Sequence, residues 1–456
     1  MEESNFDLEQ VAAVMQGTLT GSNLPFTQLS FDTRTLIPGS MGAIFIALKG
    51  ASFDGHDFIP EAIEKGVSAV IAEKSKMVGI DLKIPVISVD DTTKALGKFA
   101  HIWRSQFNLP VIGITGSCGK TTVKAMLGSI LSLVGNTLVP ESSFNNQFGL
   151  PFSLLKLTRD YQYAVMEIGT NGFGEIETLT KILSPTHAII TNVQPAHLAG
   201  LKSVEHIAKE KSDIYKYLRS NGTAFINADQ PYAESWRTAL TSQKVVTFGL
   251  QHGDVTAIDI DLAFDSTRFT LKTMNEQIPV TLLVPGLHNV MNALAAASIA
   301  IQLQIELKYI VEGLRTFTGV KGRLKRFKTT QGSCVIDDSY NANPASFKAA
   351  IDVLSKADGN KIIVMGDMGE LGAESHQYHA EIGRYAKTQG INRLFTVGGL
   401  SQQAASQFGH GAIVFENKKA LIEALTPALD ASTTVLVKGS RSARMEEILT
   451  AIGVLV

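Results

Sequence analysis

Val111-Ile-Gly-Ile-Thr-Gly-Ser-Cys-Gly-Lys-Thr-Thr122, with the run that follows it to Val134, decides how the chain is read. Residues 111–114 are β-branched or glycine and predict a short buried strand. Residues 116–119 form a glycine-rich turn. From Lys120 to about Val134, apolar residues (Val123, Met126, Leu127, Ile130, Leu131, Val134) recur at helical spacing. Strand, glycine turn and helix together are the setting of a phosphate-binding loop. Backbone N–H groups point at phosphate oxygens there, and the helix dipole adds favourable charge. Gly116, Ser117, Cys118, Gly119, Lys120, Thr121 and Thr122 are therefore the candidate nucleotide contacts. Lys120 can reach the outer phosphates, and Thr121 can offer a hydroxyl to magnesium. The pattern is the shorter Gly-x-x-Gly-Lys-Thr, because Ile114 stands where the full motif has glycine. An ordinary strand–turn–helix link with a solvated lysine is the plainer alternative.

A chain of 456 residues predicts two to four domains. Hydrophobic residues make up 45% and charged residues 18%, which places the chain among soluble globular proteins. The net charge of −2 argues against a nucleic-acid surface. Cys118 and Cys334 are the two cysteines, a usage that fits a reducing compartment. The N-terminal stretch is acidic before it is apolar and does not read as a signal peptide. No run of 18 apolar residues predicts a membrane span. A cytoplasmic location is expected.

Before the loop, residues 1–107 read as a small α/β module. A short helix carries Phe6, Leu8, Val11 and Met15, and Pro38-Gly39 reads as a turn. Strands are expected over 43–48, 67–72 and 85–89, with helices over 59–65 and from Asp90-Asp91 to about 107. After the loop come Asn145-Asn146, a helix over 153–157, and a strand over 163–166 that ends at Glu167. A carboxylate at the carboxyl end of a parallel strand sits where open α/β sheets bind ligands. Strand 186–193 leads to His197, and a helix runs from Glu205 to about 218 with Lys209 and Lys211 on it. The alternating segments over 255–272 either continue the sheet or add an antiparallel piece. A Gly/Lys/Arg joint at 318–323 opens a third segment of four βα steps, a parallel sheet covered on both faces.

Read without a family, Lys120, Thr121, Glu167 and His197 suggest an ATP–magnesium site at strand ends. Glu167 is an oxygen ligand suited to magnesium. His197 alone is as consistent with a core histidine as with a ligand, and Lys211 reads as one more lysine on an exposed helix face. Helix capping is the plain reading of Asn289. A kinase, a synthetase, a motor-like switch and a nucleotide-gated binding protein all remain open.

Over nearly its whole length the sequence resembles the Mur ligase family of peptidoglycan synthesis. The likeness is carried by residues 30–34, 42–48 and 54–58, and by 115–122, 145–149, 166–169, 192–197, 208–215 and 286–295. It continues through Gly322-Arg323 and residues 366–372. The most specific strings are Asp337-Asp-Ser-Tyr-Asn-Ala-Asn-Pro344 and Lys438-Gly-Ser-Arg-Ser-Ala-Arg-Met-Glu446. They favour the member that adds D-alanyl-D-alanine to UDP-N-acetylmuramoyl-tripeptide over members that add the first three amino acids.

The resemblance implies an α/β enzyme of three domains and an expected monomer. Residues 1–107 would bind the UDP-sugar-peptide. Residues 108–317 would form a central phosphate-loop ATPase-like parallel-sheet domain for ATP and Mg2+. Residues 318–456 would form a Rossmann-like domain for the dipeptide. It implies a two-step reaction through an acyl phosphate. By the same resemblance, Thr121, Glu167, His197 and a carbamylated Lys211 would hold magnesium, and Lys120 and Arg323 would hold phosphates. His288, Asn289, Asn292 and Asp338 would meet the nucleoside. Asn145 and Asn146 would meet the sugar-peptide. Tyr340, Asn341, Asn343 and Lys438 would face the cleft from the third domain, and Ser30, Arg34 and His56 would serve the uridine end. Ala196 stands where some sister ligases have an acidic residue. The sister adding the third amino acid, and a nucleotide-gated protein without ligation, are the alternatives.

Overall fold

Val111–Thr115 is buried along all five residues and lies inside a six-stranded parallel sheet, as apolar strands covered on both faces must. Tyr163–Glu167 pairs with it on one side and His187–Ile190 on the other. The chain first fills one side of this strand, with Thr137–Leu138 and Tyr163–Glu167. It then crosses to the other, with His187–Ile190, Thr223–Asn227 and Lys244–Phe248. That reversal opens a crevice beyond the carboxyl end of Val111–Thr115. The computed structural model describes residues 6–26, 28–37, 42–50, 52–140 and 144–454.

The helix Lys120–Leu131 buries Val123, Met126, Leu127, Ile130 and Leu131 against Ile112, Ile114 and Val165 of the sheet. Each such side chain contributes roughly 1.5–3 kcal/mol, so the phosphate loop hangs from a firmly held strand and helix. The helix stops three residues short of Val134, because the Val134 and Gly135 N–H groups fold back onto the Leu131 carbonyl. The segment expected over 255–272 is a separate antiparallel sheet of Thr256–Leu262, Thr267–Lys272 and Gln277–Leu282. Phe269, Leu271, Val280 and Leu282 turn into the core shared with the helix Leu287–Gln302.

Two further boundaries moved. The helix expected over 153–157 runs instead over Gly149–Leu154. The Asn146 side chain accepts from the Phe148 and Gly149 N–H groups and starts it early, and Pro151 is tolerated in a first turn. The helix expected over 205–218 breaks after Val204–Ser212 into the tighter turn Asp213–Tyr215. That turn drops Tyr215 into the core, where its hydroxyl donates to the Phe225 carbonyl.

The N-terminal sheet orders its strands Thr18–Thr20, Val86–Val89, Ala69–Glu73, Ala43–Ile46, Gln28–Ser30. Only Thr18–Thr20 is antiparallel to its neighbour. The turn read at Pro38-Gly39 lies outside the described residues. Asp91 caps the helix Thr92–Ser105, accepting from the Lys94 N–H. That helix fastens this domain to the central one. Trp103 Nε1 donates to the Leu157 carbonyl, and the buried Arg104 guanidinium donates to the Phe107 and Ser184 carbonyls.

The third domain orders its strands Lys325–Lys328, Cys334–Asp338, Thr433–Lys438, Asn360–Gly366, Arg393–Val397, Ala412–Phe415. The first is antiparallel and the other five parallel. Among the described residues no helix is long and apolar enough to cross a membrane.

Candidate active site

Gly116 and Gly119 are the residues that let the loop turn under the helix. Gly116 has φ +151° and Gly119, at the helix cap, +83°. A Cβ at Gly116 would stand 1.8 Å from Thr191 Oγ1, and one at Gly119 would stand 2.3 Å from Asn292 Oδ1. The loop is pinned from behind by the segment after strand His187–Ile190. The Ser117 N–H donates to the Asn192 carbonyl, and the Cys118 N–H to Asn192 Oδ1. Thr191 Oγ1 donates to the Cys118 carbonyl at 2.6 Å. These bonds correct the expectation that the amides of residues 116–119 all face phosphate, since Ser117 and Cys118 spend theirs on Asn192. The donors left for an anion include those at the start of the helix, at residues 120–122, which have no intrahelical acceptor.

We expect Gly119→Ala to weaken ADP binding about tenfold. The left-handed conformation costs a side chain about 1–2 kcal/mol, and Asn292 must move aside. Calorimetric titration with ADP checks this, and an unchanged affinity would count against the loop geometry.

Lys120 Nζ lies across the loop and donates to the Gly116 carbonyl at 2.8 Å. Burial lowers its pKa, partly offset by the Glu167 charge, and Arg323 lowers it further. The loop thus brings together cations that a phosphate chain would satisfy. Beside it, Thr121 Oγ1 donates to Glu167 Oε2 at 2.9 Å, and Asn145 Nδ2 donates to Oε1 at 2.8 Å. The register pairs Ile114 with Glu167, so this carboxylate stands next to the loop. A hydroxyl and a carboxylate oxygen in contact are hard donors that suit magnesium. Among the described residues no three His, Cys, Asp or Glu side chains gather. The protein would supply few ligands and leave the rest to phosphate and water, which is magnesium's habit.

His197 lines the same cleft but turns its Nδ1 to the third domain, 2.5 Å from Glu370 Oε2. That contact lowers the pKa of Glu370. Lys211 does not lie on an exposed face, the plain reading of the sequence. It is 2% exposed, and burial pushes its pKa down to about 7, with the Lys120 charge adding to the effect.

The third domain supplies the facing wall. Asp338 and Lys438 end neighbouring strands in register and form a buried ion pair. Lys438 Nζ also donates to the Asn341 carbonyl at 3.0 Å. The Arg323 guanidinium lies 4.4 Å from the centre of the Tyr340 ring. Asn343 caps the helix Pro344–Ser355 through the Ser346 N–H and reaches Cys118 Sγ with its Nδ2 at 3.0 Å. The third domain therefore touches the phosphate loop itself. Burial holds His288 down at about 4, a neutral imidazole at physiological pH. Asn289 is not the helix cap, a place taken by Gly286; it donates to the Pro285 carbonyl and accepts from Asn292. Together these walls enclose a cleft of about 960 Å³.

Residues read for the uridine end lie elsewhere. Ser30, Arg34 and His56 are not among the cleft's walls. Arg34 forks onto Asp32, and Ser30 Oγ bonds the Asp32 carbonyl. His56 spends Nδ1 on Asp54 and accepts from the Glu73 N–H at Nε2, so its ring has no nitrogen left over. Asn146 lines the cleft while its Oδ1 accepts from the Phe148 and Gly149 N–H groups. The sequence reading missed Gln194, Gln230, Asp352 and Tyr385, all cleft residues. Gln194 stands inside the string 192–197 and could have been found there. Asp352 and Tyr385 are polar residues on helices, with no signal in the sequence.

Family comparisons match three segments: "Mur ligase family, catalytic domain" over residues 37–104, "Mur ligase middle domain" over 114–300, and "Mur ligase, glutamate ligase domain" over 322–441. The UDP-N-acetylmuramoyl-tripeptide–D-alanyl-D-alanine ligase of Escherichia coli is 39% identical over 449 residues, covering 98% of each chain. Its counterpart in Bacillus subtilis is 33% identical over 453 residues, covering 97% of each. Among solved structures, MurF from Acinetobacter baumannii superposes with a TM-score of 0.90 at 35% identity, covering 97% of this chain and 98% of that one. MurF ligase from Thermotoga maritima, solved in complex with ADP, gives 0.81 at 26% identity over 94% and 97%.

Proposed function

We infer from the Mur ligase family, to which this chain belongs, what its cleft does. The chain is an ATP-dependent, ADP-forming ligase that adds D-alanyl-D-alanine to UDP-N-acetylmuramoyl-tripeptide. One observation carries the reading: a ligase of that name matches it over 98% of its length, and its phosphate loop, Glu167 and third-domain strand ends surround one cleft.

The residue roles are our proposal. A carboxylate is a poor acyl donor because its leaving group would be oxide. The tripeptide carboxylate oxygen bonds to the γ-phosphorus of ATP as the bond to ADP breaks, giving an acyl phosphate. The dipeptide amine then attacks the acyl carbon and loses a proton, and phosphate leaves as the amide forms. The first step brings anions together, so fixed positive charge must oppose them. Lys120 and the helix-start amides hold the outer phosphates, and Arg323 reaches them from the joint between domains. Thr121, Glu167 and His197 would hold magnesium, which when bound supplies further charge on the phosphate oxygens. Lys211 is buried near Lys120 with a depressed pKa, so its amine is available to carbon dioxide. As a carbamate it would exchange a repelling charge for an attracting one.

His288, Asn289 and Asn292 stand on the adenosine side, with Asp338 orienting the nucleoside from across the cleft. Asn145 and Asn146 meet the sugar-peptide. Tyr340, Asn341 and Lys438 position the dipeptide, while Asn343 acts through the loop contact. Ser30 and Arg34 serve the uridine end, with His56 shaping that turn. We place the boundaries at 1–107, 108–317 and 318–456, which keeps the small antiparallel sheet within the central domain. The central and third domains of one copy build the whole cleft, which suits a monomer, and the two free cysteines suit the cytoplasm.

Inorganic phosphate release from ATP and magnesium tests the reading. We expect release to require both UDP-N-acetylmuramoyl-tripeptide and D-alanyl-D-alanine, with a product heavier by the dipeptide residue in the mass spectrum. Folded protein that binds ATP but releases no phosphate with either diaminopimelate- or lysine-containing tripeptide would favour the non-ligating alternative.

A further inference from the structure

Glu370 belongs to the third domain, in the loop after strand Asn360–Gly366, yet its contacts are with the central domain. Its Oε2 lies 2.5 Å from His197 Nδ1. Its carbonyl accepts from the Ala199 N–H at 3.1 Å. Gly372, two residues on, has residues 198 and 199 as the nearest atoms to its absent Cβ. Side chain and backbone thus grip one turn of the other domain.

Both partners are held in the left-handed region, His197 at φ +56° and Glu370 at φ +63°. Neither is glycine, and each is strained in that conformation. Such conformations persist where the surroundings over-determine them, and both lie at this contact between domains.

We propose that Glu370 is the positioning residue of His197, and that it completes the magnesium side of the cleft only when the third domain has closed. This rests on the reading of His197 as a magnesium ligand. A histidine that binds a metal through one ring nitrogen usually donates from the other to a carboxylate, which fixes tautomer and ring orientation. Glu370 stands at Nδ1, which leaves Nε2 with its lone pair for the cleft. The contact is at ion-pair distance but poorly aligned as a hydrogen bond, and such bonds commonly tighten when substrates arrive. Because the carboxylate comes from the closing domain, an open molecule leaves His197 without its orienting partner. Closure and charge assembly are thereby one event.

The test compares the parent with Glu370→Ala, Glu370→Gln, His197→Ala and the double variant His197→Ala/Glu370→Ala. Three quantities are read: kcat against KM for ATP, the magnesium concentration giving half-maximal rate, and the radius of gyration by X-ray scattering with ADP and magnesium. Glu370→Ala is expected to lower kcat and raise the magnesium requirement about 10- to 100-fold, with KM for ATP within about twofold. It should also leave the liganded molecule more extended. Glu370→Gln, whose amide oxygen can still accept from Nδ1–H, should recover much of the loss. The double variant should be little worse than His197→Ala, as for residues acting as one unit. If His197→Ala raises the magnesium requirement and Glu370→Ala does not, the proposal is overturned and the ligand reading stands. If neither does, the ligand reading of His197 fails, and the proposal with it. Additive losses in the double variant also overturn it.

Discussion

Lys120→Ala is expected to lower substrate-dependent phosphate release by about 10³-fold, in line with the loss of one fixed charge at a developing anion. The fold should survive, because the side chain contributes one hydrogen bond, to the Gly116 carbonyl, and the helix behind it is anchored by aliphatic burial. The direction of the effect follows from the local charge. Burial and Arg323 both lower the pKa of Lys120, and Glu167 opposes them. A buried cation with one carboxylate nearby is short of negative charge, and the triphosphate supplies it. Binding and catalysis should separate. Helix-start amides still attract phosphate, so ADP affinity should fall by less than turnover. Phosphate release together with calorimetric ADP titration checks both halves. Turnover within about tenfold of the parent would remove Lys120 from the phosphate contacts.

The phosphate loop was legible in the sequence because three local signals agreed there. A β-branched run, glycines and a 3.6-residue repeat each fix a different part of the unit, and Glu167 followed from its place at a strand end. Short edge strands were not legible. Thr18–Thr20 and Gln28–Ser30 have three residues each, too few to display a period of two, and Lys325–Lys328 has Phe327 as its single apolar residue. The strand Ala412–Phe415 was missed because it is a half-exposed edge whose Ile413 and Val414 face outward. Side chains spent on local structure were the other failure. Asn343 and Asn146 are polar residues in specific strings, but a string does not say whether an amide caps a helix or meets a ligand. Lys211 was misplaced on an exposed face for a related reason. Its burial is decided by tertiary packing, which leaves no mark on local spacing. Glu370 became visible only when two domains were placed together.

Lys211 carries the other large effect. Lys211→Met keeps the volume and apolar stem but has no amine, and is expected to lower turnover by about 10²–10³-fold, the scale of losing one preorganised charge. The variant should fold at least as well as the parent, because it removes a buried charge, which is costly to desolvate, and keeps an apolar stem of similar size. Carbon dioxide provides the discriminating test. The neutral amine is the form that adds carbon dioxide, and with a pKa of about 7 it is populated at and above neutral pH. Turnover of the parent should fall after equilibration in buffer stripped of carbon dioxide and return with bicarbonate, while Lys211→Met should respond to neither. Stability gives the sign independently. The pKa of Lys211 is lowered from 10.5 on folding, so between about pH 7 and 10.5 the unfolded chain binds the extra proton. The stability of the stripped parent should therefore rise with pH through that window, with the burial penalty fully incurred below it. Lys211→Met should lack this contribution. Denaturant midpoints at pH 7 and pH 9.5 for the two proteins measure the difference, and parallel behaviour would mean that the amine is already charged and paired at neutral pH. In that event the bicarbonate response should vanish as well, because an ammonium group has no lone pair with which to take up carbon dioxide.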